Sequence, residues 1–133
     1  MRRRRLFVYG SLREVSRRAA LLSRRGQVIR VTPANLPGFR MLVSPLGDWP
    51  LLHRSPKSIV AGELLEGLTA ADWRRLGRYE GSEYRLASVR VKIASGEWRS
   101  AYAYFPRRAK AGGRSWDFDH WRLRCYPEAL AGR

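Results

Sequence analysis

Leu6-Phe7-Val8-Tyr9-Gly10-Ser11-Leu12 reads as a strand that breaks abruptly into a helix. The first four residues are apolar and aromatic, as a buried strand requires, and Gly10 permits a sharp turn where a side chain would clash. Ser11 followed by Glu14 has the pattern of a capping box, and Val15, Ala19 and Leu22 recur at helical spacing until Gly26. The spacing therefore predicts a helix running from the turn to Gly26. The first N–H groups of a helix lack intrahelical partners and the dipole there is positive, so such a turn suits a carboxylate or an oxyanion. Neither G-x-x-x-x-G-K-[ST] nor G-x-G-x-x-G occurs in the chain, which argues against a nucleotide at this turn.

A second informative stretch ends at Tyr79-Glu80-Gly81. Thr69 with Asp72 forms another capping-box pattern, Trp73, Leu76 and Tyr79 mark one helical face, and Gly81 supplies a C-terminal stop. Glu80 thus falls at the negative end of a helix dipole. That position, with partial burial beside Tyr79 and Tyr84, is expected to raise its pKa. Arg78 and Arg85 would oppose the rise if they pointed at the carboxylate.

These two segments, in this order, resemble the γ-glutamylcyclotransferase-like superfamily, whose members carry a Y-G-[ST]-[LN] turn after the first strand and a later Y-E-G with a catalytic glutamate. Leu36-Pro37-Gly38-Phe39, the region of Asp48-Trp49-Pro50-Leu51 and Val60-Ala61-Gly62-Glu63-Leu64 look like the family's intervening strands and turns. Tyr84-Arg85, Val89-Arg90-Val91, Gly96 and Ala101-Tyr102-Ala103-Tyr104 follow in family order, so the resemblance runs from about Leu6 to Phe105. Gly77 stands where family members often carry an aspartate. A helical glycine costs roughly 1 kcal/mol relative to alanine, and packing is the expected reason for it.

The resemblance implies an α+β fold: a small mixed β-barrel of about five to seven strands with flanking helices, the Gly10 turn and Glu80 meeting at its mouth. It also implies an intramolecular reaction in which the α-amino group of a γ-glutamyl amide attacks its own side-chain carbonyl, closing 5-oxoproline and releasing an amine. Glu80 would be the general acid and base. The backbone of Gly10, Ser11 and Leu12 would cradle the glutamyl group, with Tyr9 in the wall; Tyr84 and Tyr104 are the further substrate-binding candidates, Tyr104 or Tyr102 contacting substrate if the aromatic face of the last strand borders the pocket. No cofactor or metal is implied. The leaving amine is left open among an amino acid, a polyamine, a lysine side chain and a carrier-bound metabolite, and an arginine-lined mouth would favour neutral or anionic ones.

Other chemistries find little support. A nucleophilic Ser11 needs a base, yet the two histidines, His53 and His120, lack a supporting context and G-x-S-x-G is absent. Cys125, the single cysteine, forbids an intrachain disulfide and fits a reducing compartment. No apolar run approaches the roughly 20 residues that span a bilayer, and Met1 to Arg5 lacks the apolar segment of a signal peptide, so a cytoplasmic protein is expected. A net charge of +16 raises the alternative of a non-catalytic domain binding nucleic acid or another polyanion. The arginines are scattered, however, and no nucleic-acid motif appears. Arg2, Arg3, Arg4 and Arg5 are expected to form a basic arm making weak polyanion contacts.

The 133 residues, 44% hydrophobic, suit one domain over 6–133 after an arm at 1–5. Period-two patterning predicts strands over Gln27–Val31, Phe39–Val43, Ile59–Leu65, Leu86–Ala94 and Trp98–Phe105. Ser95-Gly96 turns a hairpin that places Trp98, Ser100, Tyr102 and Tyr104 on one face, with its inward or outward sense open. The basic, glycine-bearing run over 106–114 reads as a loop or linker. Trp116, Phe118, Trp121 and Tyr126 then predict that the tail over 115–133 packs on the domain, covers a pocket rim or forms an interface.

Overall fold

The computed structural model describes residues 4–22, 29–45, 49–107 and 115–125. Strand β1 (Leu6–Val8) leads through a 3-10 turn at Ser11–Arg13 into helix α1 (Val15–Leu22). Two long strands follow, β2 (Arg30–Val43) and β3 (Pro50–Glu66), then helix α2 (Ala70–Glu80). Strands β4 (Tyr84–Ile93) and β5 (Trp98–Pro106) form a hairpin, and helix α3 (Phe118–Cys125) comes last. The five strands close into a barrel in the order β1-β3-β2-β4-β5. It is mixed because β1 runs antiparallel to β3 but parallel to β5, where Leu6 pairs with Tyr102.

Closure makes β1 a strand covered on both sides, which is why its residues do not alternate with polar ones. Phe7 and Tyr9 join the barrel interior with Leu36, Leu64, Val91 and Ala103. Leu6 and Val8 face outward against Leu12, Leu22 and Leu76. Burying one such leucine side chain contributes roughly 1.5–3 kcal/mol. The structure also settles the hairpin's sense. Ala101 and Ala103 point inward, while Tyr102 meets the ring of Trp73 on α2 edge-on and Trp98 is exposed. Small residues line this stretch of the interior because Phe7 and Tyr9 already fill it.

Several local expectations change. The separate strands expected near Gln27–Val31 and Phe39–Val43 are one strand, β2, interrupted only by a register shift between Pro37 and Phe39 where Gly38 takes φ +89°. Gln27 itself lies outside the described residues, as do Gly26, Arg2, Arg3 and Tyr126. The Ser11–Glu14 capping box does not form. A 3-10 turn intervenes, and Glu14 instead caps α1, its carboxylate accepting from the N–H groups of Ser16 (2.7 Å) and Arg17 (3.3 Å). Consequently Val15 and Ala19 are exposed, and α1 turns Arg18 and Leu22 toward the barrel. Arg18 is neutralised there by Glu63 at 3.1 Å.

Gly77 has no packing role: it is exposed, and a Cβ would meet nothing within 4 Å. Replacing Gly77 with alanine is therefore expected to stabilise the protein by about 0.5–1 kcal/mol, readable as an increased urea midpoint at unchanged slope. Arg4 and Arg5 are not a free arm either. Arg4 stacks over Trp73 at 4.9 Å, and Arg5 pairs with Glu66 at 3.2 Å. Pro106 ends β5 rather than opening the loop, and residues 108–114 lie outside the described ones. Among the described residues no helix is long and apolar enough to cross a membrane.

Candidate active site

Helix α2 places Glu80, and its sequence explains how. The Thr69 hydroxyl accepts from the Asp72 N–H at 3.2 Å while the Asp72 carboxylate accepts from the Thr69 N–H at 2.8 Å, so the predicted box at this helix is present. Leu76, fully buried, pins the helix against β1. The helix stops at Gly81, whose φ of +80° suits glycine and whose N–H bonds to the Gly77 carbonyl at 3.0 Å. Glu80 is thereby left as the last helical residue, lining a cleft of about 370 Å³.

The strand-to-helix turn forms the facing wall. Tyr9, Gly10, Ser11 and Leu12 all line the same cleft, as do Tyr84 and Tyr104. Gly10 is needed here for space rather than for a left-handed conformation. Its φ is −112°, but a Cβ would lie 2.9 Å from the Pro50 ring at the start of β3. A direct bond joins the two walls, since the Ser11 hydroxyl lies 2.7 Å from that of Tyr79.

Burial pushes the Glu80 carboxyl up to about 7. Arg78 and Arg85 do not oppose this: both are exposed, and among the described residues no ion pair reaches Glu80. Three tyrosines share its surroundings. Burial, reinforced by the charge of Glu80, raises Tyr9 well above its usual range, Tyr84 above its own and Tyr104 to about 12. All three remain protonated. Tyr9 donates to the Tyr104 carbonyl and Tyr84 to the Pro50 carbonyl at 3.4 Å. The result is a buried carboxyl of raised pKa among fixed hydroxyls.

Such a carboxyl lowers stability when it ionises. Its folded pKa lies above the unfolded value near 4.5, so between those two pH values the native state retains a proton that the unfolded chain has released. Stability is then lost as pH rises from about 4.5 to about 7. Glu80→Gln is expected to melt close to the parent at pH 4.5, and to be more stable by roughly 2–3 kcal/mol at pH 8. Denaturant titrations at the two pH values would measure the divergence.

The cleft contains residues that pattern alone did not assign to a site. Arg17, Trp49, Pro50, Tyr79, Glu83, Trp116 and Trp121 also line it. Trp49 and Pro50 arrive on the β2–β3 hairpin. Trp116 and Trp121 arrive on the tail, which docks through Trp116, Phe118 and Trp121 onto Met41 and Val43, with the backbone N–H of Trp116 bonded to the Met41 carbonyl at 3.1 Å. Cations complete the dock: the Arg13 guanidinium sits 4.2 Å from the Phe118 ring centre and that of Arg17 5.1 Å from Trp121. The dense aromatic composition of the tail was the available signal, but not its destination. His120 is exposed, its N–H bonded to Asp117, and among the described residues no three His, Cys, Asp or Glu side chains converge as a metal site would require.

The chain is similar to known proteins in sequence and in fold. Residues 6–123 match the family model described as gamma-glutamyl cyclotransferase, AIG2-like. AIG2-like protein B of Arabidopsis thaliana is 30% identical over 120 residues, spanning 88% of this chain and 68% of that protein. A solution structure of a protein from Arabidopsis thaliana superposes with a TM-score of 0.76 at 24% identity, covering 99% of this chain and 80% of the other. A solved gamma-glutamyl cyclotransferase gives 0.69 at 16% identity, covering 83% and 70%. At these identities the structural likeness is one of fold.

Proposed function

Because the chain belongs to the gamma-glutamyl cyclotransferase, AIG2-like family, we propose that it cyclises a γ-glutamyl amide to 5-oxoproline with release of an amine. The observation that carries this is Glu80: a carboxyl raised to about 7, lining one cleft with the Gly10 to Leu12 turn. A base tuned to the working pH combines a useful ionised fraction with sufficient proton affinity.

The ionised Glu80 carboxylate takes a proton from the substrate's α-ammonium, and the freed amine attacks the γ-carbonyl carbon. A carbon–nitrogen bond forms and the carbonyl oxygen becomes an oxyanion. As that oxyanion collapses, the bond to the departing nitrogen breaks and protonated Glu80 gives its proton to it. The attacking nitrogen, cationic since it added to the carbonyl, loses its second proton through the regenerated carboxylate to the released amine, which departs as an ammonium. No water, metal or external nucleophile is consumed, and the carboxylate is regenerated. Backbone N–H groups at the start of the Ser11–Arg13 turn suit the glutamyl carboxylate, because the first donors of a helical turn have no partner inside it. Tyr9, Tyr84 and Tyr104 supply a wall of neutral hydroxyls that hold the chain folded for attack.

The test is chromatographic detection of 5-oxoproline from a panel of γ-glutamyl amino acids and γ-glutamyl amines. Release from any of them, dependent on Glu80, sustains the proposal. Absence from all, together with tight and salt-dependent binding of RNA or DNA, would instead make the basic surface the function.

A further inference from the structure

We propose that the outer face of the β4–β5 hairpin binds single-stranded nucleic acid. This is a second function, on residues other than those of the Glu80 cleft, and it does not depend on the cyclisation.

Strand register builds the face. Side chains alternate along a strand, and Val89, Val91 and Ala101 pack toward the barrel interior. Ser88, Arg90 and Lys92 of β4 therefore point outward, together with Tyr102, Ser100 and Trp98, the residues opposite them on β5. Lys92 also pairs with Asn35 of β2, which is exposed, so the polar surface continues onto the next strand. A groove of about 680 Å³ runs along this face, with Arg4, Arg5, Ser88, Arg90, Ser100 and Tyr102 in its lining. None of its lining residues belongs to the cleft around Glu80.

Cations and rings interleave here. Trp98 is 44% exposed, with the Arg90 guanidinium 5.4 Å and the Lys92 ammonium 5.0 Å from its ring centre. At the other end the exposed Arg4 guanidinium lies 4.9 Å from the Trp73 ring and 5.9 Å from that of Tyr102. Trp98 and Tyr102 stand four residues apart on β5, about 13 Å along the strand. No described carboxylate lines the groove. Arg5 is neutralised by Glu66 at 3.2 Å, and Glu97 by Arg99 at 3.5 Å, which strand parity turns away from Trp98. Arg4, Arg90 and Lys92 have no carboxylate partner among the described residues.

Charge decides the occupant. A chain of net charge +16 repels a second copy of itself and attracts a polyanion. To an anionic bilayer the hairpin tip, Ser95-Gly96-Glu97, would offer a carboxylate in place of an apolar wedge. A single strand satisfies both halves of the pattern. Its phosphates meet Arg90, Lys92 and the hydroxyls of Ser88 and Ser100, while its unpaired bases have free faces to stack on Trp98 and on the Arg4 guanidinium plane. Recognition of this kind is sequence-tolerant and requires no motif.

Fluorescence anisotropy of a labelled oligouridylate of about 12 nucleotides, within the site sizes of single-strand binders, tests this against the same strand annealed to oligoadenylate. Electrostatics alone favours the duplex, which carries the denser charge, so preference for the single strand reports the rings. A preference of roughly 10-fold is expected. The logarithm of affinity should fall with that of salt at a slope of about −2, the value for three cations on a single strand, and Arg90→Ala should make it shallower by about 0.7. Trp98→Ala should weaken binding roughly 5–100-fold at nearly unchanged slope, and Trp98→Tyr should recover most of the loss. Parent-like melting of these variants would show the fold intact. Glu80→Gln should bind the strand as the parent does, so that failure of the cyclisation and failure of this site are read separately. Equal or tighter binding of the duplex, or an affinity unchanged in Trp98→Ala, overturns the proposal. Binding of phosphatidylserine vesicles in place of the strand overturns it too.

Discussion

Glu80→Gln is expected to reduce 5-oxoproline release by ~10²–10⁴-fold, the usual contribution of a positioned general acid and base. Glutamine keeps the shape of the side chain and its place at the end of α2 but cannot carry the proton between the attacking and departing nitrogens. The pH dependence gives the loss a second signature. Because burial raises the carboxyl to about 7, kcat/KM of the parent should climb with pH through an acid limb near that value and flatten above it. The residual activity of Glu80→Gln should lack that limb. A variant that keeps the limb would assign the titration to another group. A variant that keeps full turnover would remove Glu80 from the chemistry. Together with the expected gain in stability at pH 8, the outcome is a folded and more stable protein that has lost its catalyst, so loss of activity by unfolding is distinguishable.

Gly62→Ala should have the largest effect on the fold. Gly62 lies in β3 opposite Ala34 of β2, and an added Cβ would fall 2.4 Å from the Val8 carbonyl oxygen and 2.6 Å from the Phe7 ring. The first contact is with backbone, so a rotamer change cannot relieve it. Strand β1 must move or the barrel must open. A destabilisation of about 3 kcal/mol, the upper end of the overpacking range, and a fall in Tm of roughly 10 °C are expected. The consequence extends to the site, because β1 runs directly into Tyr9 and the Gly10 turn. Displacing that turn by even about 1 Å would lower kcat/KM by up to roughly 10²-fold in the molecules that remain folded. Parent-like thermal melting of Gly62→Ala would show that β1 and β3 can separate without cost, against the packing described here.

Legibility in the sequence followed the range of the interactions. Helix α2 could be read to within its cap because Thr69, Asp72 and Gly81 act on backbone groups three or four residues away. The hairpin of β4 and β5 was legible for the same reason, its alternation and the Ser95-Gly96 turn being local. The start of α1 was misread because Ser11 and Glu14 satisfy a local pattern, whereas the chain uses Ser11 to reach Tyr79 and Glu14 to cap the helix alone. Gly77 looked like a packing glycine and is surrounded by open space, while Gly62, where an added Cβ would make the closest contact found at any described glycine, had no local mark beyond its place in a familiar run. The arginines behaved similarly. Their number suggested a polyanion surface, yet Arg4, Arg13 and Arg17 lie on aromatic rings and Arg18 on Glu63.

By itself, then, the sequence determined the strand-turn-helix entry, the cap and stop of α2, the single acidic residue left at that stop, and the family whose order of motifs these follow. Each depends on hydrogen bonds and dihedral preferences that neighbours along the chain impose. Only the tertiary structure decided that alanines rather than tyrosines of β5 face inward, and that Gly10 yields space to Pro50. It alone brought Arg17, Trp49, Trp116 and Trp121 to the wall around Glu80. Those outcomes depend on barrel closure and on the tail's docking, where the free energy comes from apolar area and ring stacking between segments far apart in the chain. Burial, the cause of the raised Glu80 pKa, is a property of that assembled surface, and no residue type or spacing specifies it in advance.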